Sequence, residues 1–174
     1  MGNIILVGLM GAGKSTVGRI VGRKLKMDFF DSDHMIVERT GVDIPTIFEI
    51  EGEAGFRERE EAMIQELCEK DNIIIATGGG SLMRQTNREH IKKSGKVVYL
   101  RTSAEQLFSR IRHDKSRPLM QTKNPLRTLK DLLRTREKDY METADLVVNT
   151  GRQRINITAQ QIIVGIEQME HNIQ

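Results

Sequence analysis

The residues best suited to chemistry lie near the amino end, in Gly8-Leu9-Met10-Gly11-Ala12-Gly13-Lys14-Ser15 followed by Thr16. Gly-x-x-x-x-Gly-Lys-Ser is the Walker A spacing. Its glycines let successive backbone N–H groups turn inward and form an anion nest at a helix N-terminus. A lysine at position 14 can reach the β- and γ-phosphates of a nucleotide, and the Ser15 hydroxyl is a hard oxygen donor suited to Mg2+. The motif follows an apolar run and opens an amphipathic stretch, the context in which it functions. It implies a bound nucleotide but does not separate a kinase from an ATPase or a GTPase switch.

Other polar groups bear on that choice. Asp31-Ser32-Asp33 stands at the end of a second short apolar run, where ligands gather in open parallel sheets. One carboxylate can hold Mg2+, usually through water, and the other can accept the proton of an attacking hydroxyl. The plainer alternative is that either aspartate caps the next helix. Arg57 belongs to the charge run Phe56-Arg57-Glu58-Arg59-Glu60-Glu61, and most such runs are solvated helix faces. Gly78-Gly79-Gly80 is harder to dismiss, because three glycines cost backbone entropy and gain close approach to a ligand with free N–H donors. An arginine fork beside glycine amides suits a carboxylate. Arg110, Arg112, Lys115 and Arg117-Pro118 form a basic segment that could close over ATP as a mobile loop. Arg136 precedes Tyr140 by four residues. Surface charge is the alternative for each single arginine.

The elements that must position these groups follow a βαβ pattern, short apolar runs alternating with amphipathic stretches. Strands are predicted at 3–7, 28–31, 73–77, 97–101 and 146–149. Helices are predicted at 14–25, from Asp43-Ile44-Pro45 with aspartate as cap, at 53–69 after a break at Gly52, and at 104–111, 128–142 and 155–169. Phe56, Glu60, Met63 and Leu67 share one stripe of the 53–69 helix. The polar segment 112–125 has no clear period, and a loop of that length is usually functional. With no repeat and no linker, residues 1–174 are expected to form a single α/β domain.

The bulk composition narrows the partners. In 174 residues, 38% are hydrophobic, 29% charged and only 4% aromatic, with no Trp and a net charge of +3. Few stacking platforms and no basic tail argue against nucleic acid, while mild positive charge suits a small polyanion such as ATP. The apolar run 4–7 is far too short to span a membrane. Cys68 is the only cysteine, so no internal disulfide can form, and a packed thiol in a reducing, cytoplasmic compartment is expected. His34, His90, His113 and His171 lack metal-ligand spacing and read as surface residues.

Taken as a set, these residues resemble the shikimate kinases, in the nucleoside monophosphate kinase-like branch of P-loop proteins. The resemblance runs almost the full chain through GLMGAGKST at 8–16, DSD at 31–33, FREREE at 56–61, ATGGG at 76–80, RPL at 117–119 and REKDYMETAD at 136–145. It implies a three-layer αβα P-loop fold with a five-stranded parallel sheet of order 2-3-1-4-5. It also implies transfer of the ATP γ-phosphate to the 3-hydroxyl of shikimate, with Mg2+ as cofactor. By matching positions, Gly11, Ala12, Gly13, Lys14, Ser15 and Thr16 would hold the nucleotide phosphates, and Ser15 with Asp31 the metal. Asp33 would be the base. Arg57, Gly78, Gly79, Gly80 and Arg136 would bind shikimate, chiefly its carboxylate, with Glu60 orienting Arg57 or a ring hydroxyl. Arg117 would act from a lid at 112–125, and 32–62 would be the substrate-binding helical segment. Arg110 would stack on adenine, with Arg152 and Gln153 as further adenine contacts, although the loop 150–154 lacks the proline often found there. A monomer with no nucleic-acid or membrane partner is expected. The rivals are a sugar-acid kinase such as gluconokinase, whose substrate also offers a hydroxyl and a carboxylate, and a nucleotide-gated binding module without turnover. The second is disfavoured because the Asp-x-x-Gly and Asn-Lys-x-Asp pair of GTPase switches is absent.

Overall fold

Ile4-Ile5-Leu6-Val7 is apolar at every position because the strand it forms is covered on both faces. In the computed structural model, which describes residues 2–114 and 121–171, β1 (Asn3–Val7) is the central strand of a five-stranded sheet. Ile4 and Leu6 point into one core with Val17, Val21, Leu107 and Ile162. Ile5 and Val7 point into the other with Ile36, Ile64, Ile91 and Tyr99. That two-sided burial is the reason for a continuous apolar run in place of alternation.

The chain order is β1, α1 (Lys14–Leu25), β2 (Asp28–Asp31), α2 (Ser32–Thr40), α3 (Ile44–Cys68) and β3 (Ile73–Ala76). A 3-10 turn at Ser81–Met83 leads to α4 (Gln85–Ser94), β4 (Gly95–Arg101), α5 (Ala104–Ile111), α6 (Pro125–Thr143), β5 (Leu146–Asn149) and α7 (Ile155–His171). All pairings are parallel and the strand order is β2-β3-β1-β4-β5, the expected αβα arrangement. None of the described helices is long and apolar enough to cross a membrane.

Local signals place most boundaries. Asp43 accepts from the Thr46 amide at 2.9 Å and caps α3, with Pro45 in its first turn. Gly52 breaks α3 at φ 72°, ψ −179°. Phe56, Glu60, Met63 and Leu67 are all buried along the helix that follows. Three expectations need correction. Helix α6 starts at Pro125 and not at 128, because Asn124 caps it by accepting from the Arg127 amide at 3.1 Å and proline is preorganised for a first turn. β4 begins at Gly95, two residues before the expected start, because β1 extends far enough to pair Asn3 with it. Helix α4 had no counterpart, since Gln85-Thr86-Asn87-Arg88-Glu89-His90-Ile91-Lys92-Lys93-Ser94 carries one apolar residue and its buried stripe is Asn87 with Ile91. Cys68 is half-buried against the second core. His34, His113 and His171 are exposed, whereas His90 is half-buried.

Asn3 fastens the head of the sheet, at the edge away from the Walker A loop. Its side-chain amide donates to the carbonyl of Lys70, an exposed residue, at 2.6 Å, and its oxygen accepts from the buried Ile73 amide at 3.0 Å, while Asn3 itself is buried. Asn3→Ala strands both groups and is expected to cost about 2–3 kcal/mol in urea unfolding, with ATP affinity of the folded protein unchanged.

Candidate active site

Three of the loops that carry candidate residues leave the sheet at one edge. Ala76 is level with Leu6 on one side and with Asp31 on the other, so the segments after β1, β2 and β3 emerge at the same height. They frame a cleft of about 450 Å3 lined by Lys14, Ser15, Asp31, Asp33, Thr77 and Gly79, among others. Clefts at the carboxyl ends of parallel strands are where α/β proteins bind ligands.

The loop after β1 has the backbone of an anion cradle. Gly8, Gly11 and Gly13 have φ of 145°, 80° and 92°, values that L side chains rarely adopt. At Gly8 a Cβ would also stand 2.9 Å from the Leu100 carbonyl oxygen. Gly13 caps α1 without a side chain, and the first turn of α1 holds no acidic residue. The N-terminal amides and positive dipole end of α1 are thus directed at the loop. The Lys14 ammonium folds back over it and donates to the carbonyls of Gly8 at 2.6 Å and Leu9 at 3.0 Å.

Asp31 has two tasks. One carboxylate oxygen accepts from the amides of Asp33 at 3.0 Å and His34 at 3.2 Å and caps α2. The other accepts a hydrogen bond from the Ser15 hydroxyl. Capping and metal-side placement are therefore compatible on one side chain. Asp33 lies in the first turn of α2, and its Oδ1 is buried without a partner among the described residues. Burial, reinforced by the charges of Glu60 and Asp31, pushes the Asp33 carboxyl up from 3.8 to about 6, against the pull of Lys14 and Arg57.

A second wall is built from α3 and the glycine run. Arg57 Nη1 donates to Glu60 Oε2 at 2.7 Å, and Glu60 is only 1% exposed. Glu60 Oε1 accepts from the Ser81 hydroxyl at 2.9 Å. A Cβ at Gly80 would lie 2.5 Å from both terminal nitrogens of Arg57, and one at Gly78 would lie 2.8 Å from Asp33 Oδ1 and 2.9 Å from Glu60 Oε1. Side chains are missing there because charged groups pack directly on the backbone. From the other side, Arg136 Nη1 at 3.1 Å and the Tyr140 hydroxyl at 2.5 Å both donate to the Gly79 carbonyl. Tyr140 is held by stacking on Tyr99, ring centres 4.9 Å apart.

A nucleotide-phosphate cradle beside a buried carboxylate and two arginines is the arrangement expected of a kinase for a small acid. Comparison with known proteins gives the family. The shikimate kinase family model matches residues 10–167. A shikimate kinase of Thiobacillus denitrificans is 56% identical over 153 residues, 88% of this chain and 84% of the relative. The chain belongs to the shikimate kinase family. It is accordingly an ATP-dependent kinase. The structure of a shikimate kinase from Acinetobacter baumannii in complex with shikimate superposes with TM-score 0.91 at 46% identity, covering 94% of this chain and 91% of that one. A gluconokinase from Sinorhizobium meliloti, at 17% identity and TM-score 0.60, shares the fold.

The remaining candidates divide by position. Arg110 bridges the Gly11 and Gly151 carbonyls, 3.1 Å from each, and so ties the phosphate loop to the loop after β5. Gln153 turns toward α7, donating to Thr158 Oγ1 at 2.9 Å and Gln161 Oε1 at 3.0 Å, and Arg152 is exposed. Arg117 lies outside the described residues, as does much of the 112–125 segment. Two contributors had no signal in the sequence, where a serine beside a glycine or an aspartate reads as turn chemistry. Ser32 accepts from the Gly78 amide at 3.2 Å, and Ser81 supports Glu60.

The raised carboxyl of Asp33 has a stability consequence. A carboxylate with a folded pKa near 6 and an unfolded value near 3.8 contributes stability below the lower value that is lost as pH rises through the upper one. Asp33→Asn is therefore expected to raise thermal stability at pH 7.5, by on the order of 2 kcal/mol. The gain should vanish near pH 4, which paired calorimetric scans would check.

Proposed function

We propose that this chain transfers the γ-phosphoryl group of ATP to the 3-hydroxyl of shikimate, with Asp33 as general base. The observation that carries this reading is the place of Asp33. Its unpartnered Oδ1 lines the same cleft as Lys14 and Gly79, and Arg57 is close enough to act on its ionisation. The Asp33 carboxylate takes the hydroxyl proton as that oxygen attacks the γ-phosphorus and the bond to the departing ADP oxygen breaks. A base with pKa near 6 is ionised at neutral pH yet basic enough to receive the proton. The α1 amides and Lys14 hold the phosphates. Arg57 and Arg136 hold the substrate carboxylate, the first aligned by Glu60 and the second by Gly79. Arg110 flanks the adenine side through its hold on Gly151, with Arg152 and Gln153 in the same loop. Arg117 is assigned to the lid from sequence alone.

The residues present suit Mg2+. Ser15 Oγ and Asp31 Oδ2 are hard oxygens in direct contact, and Mg2+ binds few protein oxygens while retaining water and phosphate. Water and the nucleotide phosphates would complete the shell around these two protein oxygens. When bound, the metal would neutralise phosphate charge.

Turnover with ATP and either shikimate or gluconate tests the reading, and phosphorylation of gluconate alone would overturn it. Asp33→Asn is expected to lower kcat at least ~100-fold with ATP affinity nearly intact; unimpaired turnover removes Asp33 from the base role. Arg57→Ala and Arg136→Ala are expected to weaken shikimate binding by roughly 2–4 kcal/mol, and a loss mainly in ATP binding would reverse the assignment. The acid limb of kcat/KM should fall with an apparent pKa of about 6, leaving about a tenth of the activity at pH 5.

A further inference from the structure

Glu60 is a buried carboxylate, and a buried charge is stable only when its lone pairs are matched. Arg57 Nη1 meets Oε2 at 2.7 Å and the Ser81 hydroxyl meets Oε1 at 2.9 Å. Ser81 is itself fully buried, and so is Asn87, whose side-chain amide donates to the Ser81 carbonyl at 2.8 Å. The Ser81 amide also donates to the Gly78 carbonyl at 3.2 Å. A line of polar contacts thus runs from α4 through the turn after the glycine run to Glu60 and Arg57, closed to water along most of its length. Its far end is an arginine whose buried Nε has no partner among the described residues and whose Nη2 stands 3.6 Å from the solvent-exposed carboxylate of Glu53.

We propose that Ser81 is a positioning residue for substrate recognition: its hydroxyl occupies one oxygen of Glu60 so that Arg57 engages only the other and keeps donors for the substrate carboxylate. The physical reason is competition. Without the serine donor, Glu60 Oε1 would be a buried, unmatched acceptor on the same carboxylate whose other oxygen already binds the Arg57 guanidinium. A guanidinium that chelates both oxygens forms the strong bidentate pair and turns its fork from the cleft toward Glu60. The Ser81 hydroxyl prevents this because it is neutral and short, and Asn87 fixes the backbone that carries it. Serine has no contact with the reacting atoms in this scheme; it acts through Glu60 on Arg57.

This inference rests on Arg57 as the carboxylate-binding group, and its test separates the two. Ser81→Ala is compared with wild type, Ser81→Thr and Arg57→Ala, using shikimate and its neutral carboxamide. The expected result for Ser81→Ala is an increase in shikimate KM of about tenfold, the scale of one weakened charge-assisted hydrogen bond. Its kcat should stay within about twofold, with an unchanged KM for ATP and a carboxamide KM close to wild type. Ser81→Thr, which keeps the hydroxyl, should restore most of the shikimate KM. Equal losses with shikimate and carboxamide, or a loss shared with ATP, would mark Ser81 as merely structural and overturn the inference. If Arg57→Ala loses discrimination between acid and carboxamide but Ser81→Ala does not, the Ser81 inference alone fails. If Arg57→Ala also leaves discrimination intact, the reading of Arg57 fails and takes this inference with it.

Discussion

A central strand buried on both faces constrains everything else in this molecule. β1 has no face left for solvent, and its neighbours are parallel strands delivered by crossover helices that cover both sides of the sheet. Parallel strands all end at one edge. The loops after β1, β2 and β3 therefore meet there whatever their sequences, and a phosphate cradle, a carboxylate and a glycine run from distant parts of the chain become neighbours. The chemistry is concentrated by topology before any side chain is chosen.

Within that crevice the carboxylates are separated by their partners. Asp31 is committed to the α2 cap and the Ser15 hydroxyl. Glu60 is committed to Arg57 and Ser81. Burial of Asp33, whose Oδ1 has no partner among the described residues, holds its carboxyl near 6, with repulsion from Glu60 and Asp31 adding to it. Three acids of similar intrinsic strength thus meet three different environments, one capping a helix beside a hydroxyl, one locked in a buried ion pair and one buried with an unmatched oxygen. The glycine run makes this packing possible, since side chains at 78 and 80 would overlap the very groups that must converge.

Much of this was legible in the residues. The Walker A spacing, the apolar run before it and the amphipathic stretch after it specify strand, loop and helix together, because each signal is local. Asp43-Ile44-Pro45 marks a helix start for the same reason, and Gly52 marks a break. Helix α4 was not legible, because its buried stripe includes Asn87, whose burial depends on the Ser81 carbonyl it meets. The start of α6 at Pro125 is set by a cap, Asn124 accepting from the Arg127 amide, and that hydrogen bond exists only once the turn has formed.

For function, the Walker A spacing by itself implied a bound nucleotide, and the order of the motifs implied the family resemblance through which Asp33, Arg57, Gly79 and Arg136 are grouped as one set. Those conclusions rest on residue type and spacing, which the chain carries in one dimension. Only the tertiary structure decided that Asp31 caps and faces Ser15 at once, that Glu60 shares itself between Arg57 and Ser81, and that Arg136 is anchored by the Gly79 carbonyl. Each is a contact between elements separated by crossovers, and a hydrogen bond depends on distances and angles that exist only once the sheet has brought its carboxyl ends together.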